Sequence, residues 1–173
     1  MDSAKASDRK DAHLALAAAS LARSGRSAGF DRVQLDHCAL PESDLASVSI
    51  AKDWLGKTVS APLFIGSMTG GTDYADAINA ALATVAERCG VGLALGSQRA
   101  ALERGGASKH LRSLAPSVPL IGNLGGVQLA ASGGIDLAHR AVDDIEADAL
   151  FIHLNPLQEL SLIHISEPTR HER

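Results

Sequence analysis

Aromatic residues are nearly absent from this chain: one Trp, one Tyr and three Phe among 173 residues. Its core must therefore be aliphatic, and Ala and Gly are plentiful enough for close packing of helix on strand. No basic block interrupts a net charge of −4, which argues against nucleic acid as a partner. No apolar run approaches the roughly 20 residues that span a bilayer, so no membrane partner is expected. The first eight residues are polar and hold no signal-peptide core. The two cysteines, Cys38 and Cys89, form no metal-type spacing, and a reducing, cytoplasmic location is the simple expectation. An apolar content of 46% argues for a packed core, not disorder.

What the chain does have is a rhythm. Apolar runs begin at Pro62, Val91, Val118 and Ala149, spaced by 29, 27 and 31 residues. That is the period of a βα unit. The runs do not alternate, as expected for strands buried on both faces of a parallel sheet. Helices are predicted over Asp11–Arg23, Ala75–Arg88 (closed by Gly90), around Lys109–Leu114, and over Ile135–Ile145. A short extended segment is predicted around Phe30–Leu35. Four βα units are half of an eight-unit barrel, with a small doubly wound sheet as the competing architecture. The chain is also short of the about 250 residues of a complete (β/α)8 barrel. Residues 160–173 break the rhythm and are expected to be foreign to the fold, resembling translated adapter sequence.

Each predicted strand runs into a polar or Gly-rich turn. The first is Gly66-Ser-Met-Thr-Gly-Gly71, where glycines admit a ligand close to the backbone and Ser67 and Thr69 add hydroxyls. An ordinary βα turn would look the same. Gly96-Ser-Gln-Arg99 stands at the equivalent point of the next unit. There Arg99 can fork onto a diphosphate, or simply lie on the surface. Gly122-Asn-Leu-Gly-Gly126 offers Asn123, which donates and accepts and so fits a heterocycle edge, or stabilises its own turn. The fourth cluster is His153, Asn155, Gln158 and Glu159. Glu159 is the one carboxylate of the four turns, a natural Mg²⁺ ligand or acid/base, whereas His153 could equally be a buried structural residue. Arg9-Lys10-Asp-Ala-His13 pairs two cations that could neutralise an anion or merely face solvent. His37, His110 and His139 have no partner spacing and read as structural or exposed. Independent surface loops would rarely place polar turns at the same end of four successive strands.

Taken in order, these motifs resemble one family, the flavin-dependent type 2 isopentenyl-diphosphate delta-isomerases. They are Arg9-Lys10-Asp11-Ala12-His13, Asp36-His37-Cys38-Ala39-Leu40-Pro41-Glu42, Ala61-Pro62 through Met68-Thr69-Gly70-Gly71, Gly96-Ser97-Gln98-Arg99, Gly122-Asn123-Leu124-Gly125 and His153-Leu154-Asn155-Pro156-Leu157-Gln158-Glu159. The resemblance implies a (β/α)8 TIM barrel, here an incomplete barrel of about four βα units, with residues 1–159 as its N-terminal half. It implies interconversion of isopentenyl and dimethylallyl diphosphates with reduced FMN, Mg²⁺ and NADPH as reductant. By position, Arg9, Lys10, Ser97, Gln98, Arg99 and Gln158 would bind substrate, with Gln158 the catalytic residue. Ser67, Met68, Thr69, Ser97 and Asn123 would hold FMN, and Glu159 would ligate Mg²⁺. The full-length enzymes are expected to be homo-oligomers. The family's later flavin contacts have no counterpart here, so the chain alone is expected to bind FMN weakly or not at all and to be inactive. Another FMN barrel of the 2-hydroxy-acid oxidase type, or a non-functional fragment, is the alternative.

Overall fold

The computed structural model describes residues 12, 14–19, 25–105 and 108–154. Its centre is a four-stranded parallel sheet of β3 (Phe64–Ile65), β4 (Gly92–Ala94), β5 (Leu120–Gly125) and β6 (Ala149–His153), in that spatial order. Phe64 pairs with Gly92, Leu93 with Leu120, and Ile121 with Ala149. The connections carry α1 (Asp73–Cys89), α2 (Arg99–Glu103), α3 (His110–Leu114), α4 (Gly126–Ala130) and α5 (Gly134–Ile145).

Successive strand residues point to opposite faces, and this register sorts the sheet cleanly. Leu93, Leu95 and Leu120 face one side and pack with Ala83, Ala86, Leu111 and Ile145 of the helices. Farther along the same side, Leu124 packs with Leu102, Ala138 and Ala141. The opposite side carries Phe64, Ile121, Asn123, Phe151 and His153. The Phe64 and Phe151 rings meet there at 6.0 Å although their strands are the two sheet edges. In a flat sheet those strands would lie three spacings apart, roughly 14 Å. The sheet is therefore strongly curled, with this face concave.

α1 shows why the local sequence behaves as it does. Thr72 Oγ1 accepts from the Ala75 N–H at 3.1 Å, and Asp73 and Asp76 sit in the first turn beside the positive end of the helix dipole. Ala75, Asn79, Ala83 and Ala86 form its buried stripe. Gly90 ends it at φ +64°, where an L side chain is disfavoured.

The expected incomplete (β/α)8 barrel is corrected by this structure. The described residues form a small α/β domain with an open four-stranded parallel sheet, whose hydrogen bonding stops at β3 on one side and β6 on the other. A repeat of about 30 residues specifies strand, helix, strand; it does not specify closure. Three local expectations also change. Phe30–Arg32 is a 3₁₀ turn, not an extended segment. Gly122-Asn-Leu-Gly125 is strand, not turn, because β6 continues the ladder to His153. An unforeseen antiparallel hairpin, β1 (Lys52–Trp54) and β2 (Lys57–Val59), precedes the sheet. Its Leu55-Gly56 corner has φ +50° and +75°, the pair of positive values that a tight two-residue hairpin turn demands. Trp54 from this hairpin lies against Phe64 at 5.5 Å and covers the start of the concave face. The predicted C-terminal tail lies outside the described residues.

Candidate functional site

The C-terminal ends of the parallel strands meet at Asn123. Its side chain is on the concave face and is 5% exposed. Nδ2 donates to Ser67 Oγ at 3.1 Å, from the turn after β3. Oδ1 lies 2.8 Å from His153 Nδ1 at the end of β6. An amide oxygen can only accept, so His153 Nδ1 carries the proton. The Asn123 N–H donates to Gln98 Oε1 at 3.0 Å, and the Asn123 carbonyl accepts from the Gln98 N–H at 2.9 Å. One residue thus ties together the ends of all four strand units. The amide keeps the valence for one further donated and one further accepted hydrogen bond.

The turns after β3 and β4 interlock beside it. The Gly96 N–H donates to the Thr69 carbonyl at 3.1 Å, and Asn79 Nδ2 donates to the same oxygen at 3.3 Å. A Cβ on Gly96 would lie 2.4 Å from Thr69 O, and one on Gly70 would lie 3.2 Å from Ser97 O. Arg104 donates to the Gly71 carbonyl, holding the end of the turn. Burial pushes the neighbouring Asp76 carboxyl above its usual range, with the Arg104 charge pulling against it. Met68 projects with 78% of its surface exposed, and Ser67 is exposed. Ser97 is half-buried.

The structure therefore brings Ser67, Thr69, Ser97, Gln98, Asn123 and His153 into one neighbourhood. Arg99, at the start of α2, reaches Glu103 at 3.4 Å. Arg9, Lys10, Asn155, Gln158 and Glu159 lie outside the described residues. No group of three or more potential metal-ligating side chains occurs among the described residues. Sequence reasoning missed Asn79, which braces Thr69; an Asn inside an otherwise Ala-rich buried stripe was the available signal. His37, His110 and His139 are exposed. No helix among the described residues is long and apolar enough to cross a membrane.

The groups offered by Ser67, Thr69, Ser97, Gln98 and Asn123 are neutral: hydroxyls, amides and main-chain groups. Such a set suits an uncharged polar ring edge better than a metal or a bare anion.

No protein-family model matches the chain. Several curated proteins named isopentenyl-diphosphate delta-isomerase do resemble it. The one from Xanthobacter autotrophicus is 47% identical over 163 residues, 92% of this chain and 48% of that protein. The one from Vibrio campbellii is 46% identical over 88% of this chain and 46% of that protein. The one from Synechocystis is 51% identical over 78% of this chain and 39% of that protein. The chain spans about half the length of the curated relatives it matches, and over most of its own length it is similar to proteins named isopentenyl-diphosphate delta-isomerase.

Proposed function

We propose that this chain forms part of an isopentenyl-diphosphate delta-isomerase of the flavin-dependent kind, acting in isoprenoid synthesis. The observation that carries the flavin reading is the hydrogen-bonding row Ser67–Asn123–His153 at the strand ends. Asn123 keeps one donor and one acceptor in hand, the complement of a flavin edge. Ser67, Met68, Thr69, Ser97 and Asn123 are the residues that would hold FMN. When bound in its reduced form, FMN supplies acid/base chemistry over the alkene.

The chain's own groups have separate tasks in this reading. Ser67 and Asn123 orient by hydrogen bonds without bringing a carboxylate near a developing carbocation. His153 keeps the Asn123 amide from rotating by fixing its oxygen. Arg99, Arg9 and Lys10 would draw in and screen the substrate diphosphate, with Ser97 beside it. Gln158 would lie by the substrate and Glu159 would ligate Mg²⁺. NADPH would serve as reductant. The partner is a small diphosphate, not nucleic acid.

Flavin titration tests this, read by quenching of FMN fluorescence. The chain should bind FMN weakly, with Kd on the order of 100 μM, and Asn123→Ala should weaken it by at least about tenfold, the scale of one or two lost hydrogen bonds. Equal affinity in the two proteins would remove Asn123 from the site. Turnover is assayed with isopentenyl diphosphate, Mg²⁺ and reduced FMN, and is expected to be very low for this length of chain. Isomerisation in Mg²⁺ alone, without flavin, would sink the flavin-dependent reading.

A further inference from the structure

Gln98 belongs by sequence position to the group expected to touch substrate, yet its side chain is engaged elsewhere. It is 4% exposed. Nε2 donates to the Ala141 carbonyl of α5 at 2.9 Å, and Oε1 accepts from the Asn123 N–H at 3.0 Å. The amide spans from helix to strand, on the side of the sheet away from the concave face.

The strand lengths explain why an amide is needed there. β4 has three residues and β5 has six. Leu95 N–H still reaches Ile121 O at 2.9 Å, after which the chain turns away toward α2. The far half of β5 then lacks a full strand neighbour on that side. Gln98 supplies the missing groups: its main-chain N–H bonds the Asn123 carbonyl, and its side-chain oxygen takes the Asn123 N–H. A buried main-chain N–H left without a partner would be costly. Gly122 makes room for this arrangement, since a Cβ there would lie 2.6 Å from Gln98 Oε1.

We propose that Gln98 is a positioning residue. Its side chain stands in for a strand, fixes the main chain at Asn123, and through it aims the Asn123 amide along the Ser67–His153 row. The effect on flavin rests on the function proposed above; the effect on Asn123 does not.

Two variants test it. Gln98→Met keeps the length and removes both hydrogen bonds. Gly122→Ala leaves Gln98 in the sequence but pushes its oxygen away. Both are followed by NMR of the backbone amides in the whole chain, without flavin. The expected result in each is an upfield shift of the Asn123 amide proton and about tenfold faster exchange there, with Leu120 and Ile121 little changed. FMN affinity should fall by about the same factor. Wild-type shift and protection at Asn123 in Gln98→Met would overturn the proposal. So would a uniform loss of protection along β5 in both variants, which would mark Gln98 as mere core filling. A local change at Asn123 with no FMN binding by any form of the protein would uphold the positioning role and remove the flavin reading instead.

Discussion

Asp148→Ala is expected to cost about 3 kcal/mol of folding stability, a large share of what a domain of this size possesses. The carboxylate stands one residue before β6 and serves three groups. Oδ2 accepts from the Leu120 N–H at 2.8 Å and from Arg112 Nη2 at 2.7 Å, while Oδ1 lies 3.3 Å from Lys57 Nζ. Its own N–H donates to Leu120 O at 2.8 Å. β5, β6, α3 and the β1–β2 hairpin are therefore joined through one side chain. Arg112 also donates to the carbonyls of Ala115, Val118 and Glu146, and Lys57 to those of Pro116 and Val118. Truncation would leave two half-buried cations without their counter-charge and one N–H without its acceptor. Urea unfolding reads the result: the midpoint should fall with little change in slope. A loss under about 0.5 kcal/mol, the size of an ordinary surface substitution, would show that the cations do well enough with carbonyls alone.

The same residue sets an acid limb. Burial pushes the Asp148 carboxyl up, but the Leu120 N–H, the Arg112 hydrogen bond and the Arg112 and Lys57 charges together outweigh it and hold the carboxyl below its usual range. A depressed carboxylate pKa means that the unfolded state takes up protons first. The contribution is complete above the unfolded carboxylate pKa and is lost as pH falls through the lower folded value. Asp148→Asn should accordingly show a shallower loss of stability on acidification than the native chain. Parallel pH profiles for the two proteins would refute this assignment.

Much of this arrangement could be read from the residues, and the remainder has identifiable causes. The four apolar runs, the helix ended by Gly90 and the helix around Ile135–Ile145 are local signals, and local signals survive in the fold. The Leu55-Gly56 hairpin was also legible in principle, but Lys52-Asp-Trp and Lys57-Thr-Val are too short and polar to stand out. Closure was not legible, since a βα repeat fixes handedness and spacing while the number of strands that pair depends on the whole chain. At the site, Ser67, Asn123 and His153 were visible because each follows or ends an apolar run. Gln98 was visible as a polar residue in a turn, but which way its side chain points was not. That direction depends on β4 ending opposite Ile121, four residues before β5 ends, a tertiary fact. Asp148, which joins Leu120, Arg112 and Lys57, looked like any acidic residue in a helix-to-strand loop, because its partners lie far away in sequence.

Gly96→Ala should cost about 2 kcal/mol in stability and at least about tenfold in FMN affinity. The added methyl would sit 2.4 Å from Thr69 O, 2.5 Å from Thr69 C and 2.8 Å from Thr69 N. All three are main-chain atoms, so no side chain can swing aside to relieve the clash. The turn after β3 must move as a unit, and it carries Ser67, Met68 and Thr69. Two bonds would suffer at once: Gly96 N–H to Thr69 O, and Asn79 Nδ2 to the same oxygen. Displacing Ser67 would also withdraw the acceptor from Asn123 Nδ2, so the damage would reach the centre of the row. Gly105→Ala provides the comparison, because a Cβ there meets nothing within 4 Å and its cost comes only from a φ of +106°. Thermal melts and flavin titrations of the two variants separate the effects. Both should melt lower, but only Gly96→Ala should lose flavin affinity well beyond its loss of stability. Equal flavin binding in the two variants would mean that the interlocked turns support the fold and leave the ligand to other residues.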